Sequence, residues 1–394
     1  MNNEEYSNDS LAIILLCSNL AINFNVDSVK PFTTVEWSKF AKIVLNSSIK
    51  RPANLFNLSK EEIERELLIS AKDSERIVQL LSKAGQLSFE LNELRNLGIK
   101  IATRADKSYP AILKKRLKEK CPPVIYYCGD INILNNRLIG VVGSRNIDSD
   151  GLNFTQRIGE KIVSENYSLV SGGAKGVDSV AQDAVLKNNG KVVAFIADSM
   201  ISKIKKKEIR EAITKGNLLL MSAINPKSGF TVYGAMDRNK YIYGLSKLTI
   251  VVASDYNKGG TWAGATENLK NSWVPLLVRS EDNVPKGNLE LIKLGGNVFN
   301  CNSFKSSFEK FLKGEINANE EYYEEDLFSL INSLDNKKEQ NVSYDNINID
   351  KVCEKDDVTK THDVYSLILN DIKEVLNDEL SLDEFSKKLN INKK

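Results

Sequence analysis

Through the first 95 positions, apolar residues recur at three- and four-residue spacings with polar faces between them. The pattern predicts helices over Leu11–Leu20, Val35–Leu45, Lys60–Ala71 and Ser74–Leu91. Ser59 followed by Glu62 has capping-box spacing and marks the start of the third. At Arg137 the pattern changes. Apolar runs of strand length occur at Leu138–Val142, Ser168–Val170, Lys191–Ile196, Leu218–Met221, Leu248–Ala253 and Val274–Val278. They alternate with amphipathic stretches at Phe154–Glu165, Val177–Leu186, Lys203–Thr214 and Ala263–Leu269. A strand without polar alternation is buried on both faces, which marks a parallel sheet covered by helices. The expected fold is therefore α/β, with a doubly wound, mostly parallel sheet.

The expected organisation is a helical domain at 1–95, the α/β domain at 96–314, an acidic linker at 315–362 and a short helical end at 363–394. In that end, Asp363–Leu376 and Leu380–Leu389 read as two helices joined by Asn377–Glu379, the front half of a helix-turn-helix. The sequence closes at Lys394, before a full recognition helix and wing, so a truncated winged-helix remnant is expected.

Composition narrows the chemistry. No stretch approaches the roughly 18 apolar residues of a membrane span, and Leu11–Leu16 is too short for an anchor, so a soluble, cytoplasmic protein is expected. The five cysteines (Cys17, Cys121, Cys128, Cys301, Cys353) lack paired metal-ligand spacing and read as reduced thiols. The single histidine, His362, lies in an acidic stretch. Neither a metal site nor a histidine general base is expected, and no cofactor is implied.

The formal net charge of +2 conceals an asymmetry. Glu315–Lys394 holds 20 acidic and 10 basic residues; subtracted from the totals of 52 and 54, these leave 32 acidic and 44 basic before Glu315. A basic body with an acidic tail suits a polyanion ligand, with the tail solvating the body, competing for its surface or engaging a partner.

In an open α/β sheet, ligands bind beyond the carboxyl ends of the strands. Gly143-Ser144-Arg145 follows the first predicted strand, and Ser171-Gly172-Gly173-Ala174-Lys175-Gly176 follows the second and opens into a helix. Paired glycines let backbone amides approach an anion, the helix terminus adds partial positive charge, and Lys175 adds a full one. Arg145 can form a bidentate phosphate pair, and Ser144 and Ser171 offer hydroxyls. Met236-Asp237-Arg238-Asn239-Lys240 lies ahead of the fifth strand, read as a loop that adds two cations and an amide, and Lys258-Gly259-Gly260-Thr261 follows it. One such loop is an ordinary turn; several, each with a cation, point to an anion site. Gly140-x-x-Gly143 lacks the third glycine of a dinucleotide fingerprint, and no Gly-Lys-Ser/Thr of a Walker loop occurs.

These motifs resemble those of the DprA/Smf family of DNA-processing proteins. The likeness runs from Leu97-Gly98-Ile99 through Ser108-Tyr109-Pro110, Pro122–Asp130 and Val141–Arg145. Ser171–Asp178 is similar to the family's Ser-Gly-x-Ala-Arg-Gly-x-Asp, with Lys175 at the arginine place. Arg238-Asn239-Lys240 with Gly244-Leu245-Ser246 resembles its Arg-Asn-Arg…Gly-Leu-Ser. The resemblance covers roughly Leu97 to Val278. It implies an extended Rossmann-like domain that binds single-stranded DNA as a homodimer, passes it to a RecA-type recombinase as in natural transformation, and has no catalytic residues. The residues expected to hold DNA phosphates are Gly143, Ser144, Arg145, Ser171, Gly172, Gly173, Lys175, Arg238, Asn239, Lys240, Gly260 and Thr261. The chain departs from the pattern at Gln182 (usually His), at Lys240 (usually Arg) and at Gly260–Gly264, marking a divergent branch.

Trp262, Tyr233, Tyr241 and Tyr243 are candidates for stacking on bases, or are core aromatics. Lys203, Lys205, Lys206, Lys207 and Arg210 form a basic run that extends a DNA track or is a solvated face. Two other functions compete. Gly259-Gly260-Thr261 with Glu267 resembles part of the motif of nucleoside-monophosphate phosphoribohydrolases, in which a carboxylate assists departure of the base. The pocket is also suited to sensing a nucleotide, or the chain to one half of a phage-defence or antitoxin-type pair.

Overall fold

The computed structural model describes residues 6–281 and 283–315. Beyond Glu315, the predicted acidic linker and C-terminal helices, with Cys353 and His362, lie outside them. The amino-terminal region forms α1 (Asn8–Cys17), α2 (Thr34–Asn46), α3 (Lys60–Leu67), α4 (Ala71–Leu81) and α5 (Ala84–Asn96). On α3 the Ser59 hydroxyl accepts from the Glu62 amide at 3.2 Å, and the Glu62 carboxylate accepts from the Ser59 amide at 2.8 Å. That is the predicted capping box. Ser74–Leu91, read as one helix, is broken at Ser82–Lys83. The Ser82 hydroxyl donates back to the Gln79 carbonyl, Lys83 leaves helical geometry at ψ 14°, and its ammonium pairs with Asp27 at 2.6 Å. Helix α1 buries Ile13, Ile14, Leu15 and Leu16 together, because it packs among α4, α5 and the edge of the sheet.

The sheet region runs β1 (Lys100–Thr103), α6 (Ala111–Leu117), β2 (Val124–Cys128), β3 (Leu138–Val142), α7 (Ser149–Ser164), β4 (Ser168–Ser171), α8 (Val177–Lys187) and β5 (Val192–Phe195). It continues through α9 (Met200–Ile204), α10 (Lys207–Thr214), β6 (Leu218–Ser222), α11 (Val232–Leu245), β7 (Leu248–Val251), α12 (Gly259–Asn271), β8 (Leu276–Arg279), α13 (Lys286–Lys293), β9 (Asn297–Phe299) and α14 (Phe308–Lys313). All six predicted strands form, as β3 to β8, and every residue of these six observed strands is buried. The strand order is β1-β2-β6-β5-β4-β3-β7-β8-β9. From β6 to β9 the pairing is parallel, while β1–β2 and β2–β6 are antiparallel. The α/β expectation holds, with an antiparallel extension that periodicity did not show.

Side chains alternate across this sheet into two apolar layers. One face sets Ile139, Val141, Leu169, Val192 and Leu220 against α7, α8 and the amino-terminal helices. The other sets Val142, Val170, Phe195, Leu219 and Val251 against α6, α11 and α13. The chain leaves β3 toward β4, β5 and β6, then returns to β7 on the other side of β3. The loops after β3 and β7 therefore diverge, and a crevice opens between them at the carboxyl ends of the strands. No helix among the described residues is long and apolar enough to cross a membrane.

Candidate phosphate-binding site

At this crevice the predicted loops interlock. Gly176 has φ +81°, and an added Cβ would lie 2.4 Å from the Ser144 carbonyl oxygen and 2.5 Å from that of Arg145. Only glycine lets the loop after β4 rest on the backbone of the loop after β3. The contact is sealed by the Val177 amide donating to Ser144 O at 3.2 Å, while the Ser144 amide donates to Ala253 O at 2.9 Å beyond β7. Three strand ends are thus tied together by main chain.

Arg238 sits at the centre. It lies on α11, and its side chain is only 9% exposed. Its Nη1 donates to Phe195 O at 3.0 Å and stands 3.8 Å from Asp178 Oδ2. Its Nε has no hydrogen-bond partner. Gly172 makes room for it: a Cβ there would fall 1.3 Å from Arg238 Nη1. Burial pushes the Asp178 carboxyl up, against the opposing pull of Arg238 and of the Ala174 and Gly172 amides.

Two cavities flank this arginine. The first, ≈ 370 Å³, is lined by Gly143, Ser144, Arg145, Arg238, Asn239, Gly260 and Thr261, with Asp178 in its wall. The second, ≈ 510 Å³, is lined by Gly172, Gly173, Lys175, Lys203, Lys206 and again Arg145 and Arg238, with Asp198 as its one carboxylate. Asn239 is oriented by donating to Gly260 O at 2.8 Å. Lys203 donates to Gly173 O at 2.8 Å, so two members of the predicted basic run reach the site.

Lys240 and Ser171 line neither cavity. Lys240 is nearly buried and pairs with Asp237 at 2.5 Å. Ser171 is fully buried and accepts from Gln182 Nε2 at 3.3 Å. Glu267 is also outside the cavities and accepts from Lys120 at 2.5 Å. Tyr241 is buried; Tyr243 is buried yet forms part of the first cavity's wall. Trp262 packs edge-on against Tyr256 at 5.1 Å, while Tyr233 is 83% exposed.

Sequence reading missed Phe230 and Val232 and counted Met236 only as part of a polar loop; all three stand exposed at the mouth of the first cavity. Phe230 lies 4.8 Å from the Arg145 guanidinium, face to cation. Their only linear signal is an apolar cluster straddling a helix start. The arrangement can hold an anion by two guanidiniums, the ammoniums of Lys175, Lys203 and Lys206 and loop backbone, with an aromatic beside it.

A family model, DNA recombination-mediator protein A, matches residues 100–309. The chain belongs to this family. It is 27% identical over 218 residues to protein Smf of Synechocystis, covering 53% of each. It is 29% identical over 168 residues to the DNA processing protein DprA of Bacillus subtilis, covering 42% of this chain and 56% of that one. The chain spans about half the length of the curated relatives it matches. The X-ray structure of DNA processing protein A from Streptococcus pneumoniae superposes with a TM-score of 0.51 at 20% identity, over 68% of this chain and 95% of that one. At that identity the likeness establishes a shared Rossmann-like fold. The cavities and the loops that line them lie within the segment that the family model matches.

Proposed function

We propose that this protein binds single-stranded DNA at the crevice and presents it, as a homodimer in the cytoplasm, to a RecA-type recombinase, without catalysing a reaction on it. One observation carries the reading: Arg145 and Arg238 line both cavities, and Lys175, Lys203 and Lys206 line the second. A guanidinium held in place by Phe195 O and Asp178 at the wall of both cavities meets a phosphate without first being ordered, and its planar fork suits phosphate oxygens. Arg145 and Lys175 add charge at the rim, and Phe230 offers a face to a base, as single-strand binders use. The Glu267 required by a phosphoribohydrolase faces Lys120 instead of the cavity.

The test is fluorescence anisotropy of the full chain with labelled oligo-dT at several salt concentrations. Tight binding that weakens with salt, and is lost in Arg145→Ala/Lys175→Ala, is expected. No binding by the folded wild type at low salt sinks the reading. The first cavity is within the size range of small-ligand sites, which favours a nucleotide as the second reading. Saturable binding of a nucleoside monophosphate with no binding of oligo-dT would select it, and release of free base would make the protein an enzyme.

A further inference from the structure

A second cationic groove lies at the opposite end of α12. That helix has 13 residues, so the groove is about 20 Å from the phosphate loops at ~1.5 Å per residue. The groove is ≈ 790 Å³ and lies between α2, the end of α6 with the turn Lys118–Lys120, and the α12–β8 turn. Residues 114–120 read Lys-Lys-Arg-Leu-Lys-Glu-Lys. Five cations line the groove against the single carboxylate of Glu119, with Trp273 beside them.

The cations divide into two kinds. Arg116 is structural: it donates to the carbonyls of Gly244 at 3.0 Å and of Ser246, closing the end of α11. Arg104 donates to Ser38 Oγ at 3.4 Å. The lysines are free to change partners. Lys42–Glu119 and Lys120–Glu267 are solvent-exposed ion pairs of 2.5 Å, which contribute little and exchange readily for a phosphate. Lys118 is exposed, makes no ion pair among the described residues, and is held at φ 50°, ψ −114°. Glycine adopts that backbone freely and lysine does not, so strain is kept where it presents a charge. Lys120 Nζ lies 5.7 Å from the ring centre of Trp273, which is half-buried in the groove wall.

We propose that this groove is a second contact for single-stranded nucleic acid, with phosphates on Lys42, Lys118 and Lys120 and a base against Trp273. A strand held at the loops would then continue to the other end of the sheet. A half-exposed indole among lysines favours a strand with free base faces over a duplex or an acidic peptide. The inference rests on the proposed function only for the kind of ligand, since the two sites share no residue.

The test uses the full chain and two labelled oligo-dT strands, one short enough for a single site and one long enough to span both. In Lys118→Gln/Lys120→Gln, the slope of log affinity against log salt for the long strand is expected to shrink by ~1.4, two contacts at ~0.7 each. Short-strand binding at the loops stays as in the wild type, and Trp273→Phe removes part of the tryptophan quenching caused by the long strand. A wild-type slope in the double variant, in protein whose binding still depends on Arg145, overturns the inference. Poly-glutamate competing through the same lysines as strongly as the long strand overturns it in favour of an acidic partner. Long-strand binding that survives Arg145→Ala and is lost on removing Lys118 and Lys120 upholds the groove while the loop reading falls.

Discussion

Gly172→Ala tests whether the buried arginine organises the site. The new methyl would lie 1.3 Å from Arg238 Nη1 and 2.2 Å from its Cζ, distances no small adjustment relieves. The guanidinium has to leave. Cavities of ≈ 370 and ≈ 510 Å³ border it, so it can swing out without forcing the backbone apart. The cost is then set by the bonds it abandons, rather than by overlap. Losing the charge-assisted bond to Phe195 O costs about 1.5–3 kcal/mol. Asp178 loses its cation as well, and its already raised carboxyl moves further up, which adds to the cost in the same direction. The expected loss is about 1.5–3 kcal/mol in urea unfolding with the m value unchanged, from a protein that still folds but binds oligo-dT weakly. The decisive comparison is the same methyl in an Arg238→Ala background, where the obstruction is gone and the cost should fall below about 1 kcal/mol. An equal cost in both backgrounds would refute the reasoning, because Arg238 would then not be what the glycine accommodates.

Two further outcomes follow from the same geometry. Gly176→Ala places Cβ against main-chain oxygens that have nowhere to move and imposes a positive φ on alanine. It should cost more than Gly172→Ala and no Arg238 substitution should rescue it, as chemical denaturation of the two double variants would show. At the amino-terminal helices, Arg76 holds the Glu36 carboxyl down at about 2. A depressed native value means the stabilisation is present above pH 4.5 and is lost as pH falls toward 2. The stability gap between wild type and Glu36→Gln should therefore be level above pH 5 and close across that window. Because the pair is partly exposed, the gap should not exceed about 1 kcal/mol; a gap that does not change with pH would remove the pair from the account.

The sequence by itself determined the parallel core and the positions of the glycine-rich loops that line the crevice. Strands such as Leu138–Val142 and Leu248–Val251 are covered on both faces, and that requirement leaves an unbroken apolar run that can be read without knowing what covers it. The turns after β3, β4 and β7 were legible for a similar reason. A chain that must turn from strand to helix while bringing its backbone close to another loop has to spend glycines there. The antiparallel strands, β1 at the edge and β2 between it and β6, were not legible, because their short runs acquire meaning only when they pair with each other and with β6.

Tertiary structure alone decided the centre of the site. Met236–Lys240 reads as a polar loop, yet it belongs to α11, capped where the Thr231 hydroxyl accepts from the Gly234 amide. Successive residues on a helix point about 100° apart. Arg238 and Asn239 can therefore face the crevice only if Lys240 turns away, to Asp237 and the ring of Tyr241. Three adjacent polar residues look equivalent along the chain. The helix and the sheet beneath it separate them, because direction in space is set by winding and packing rather than by residue type.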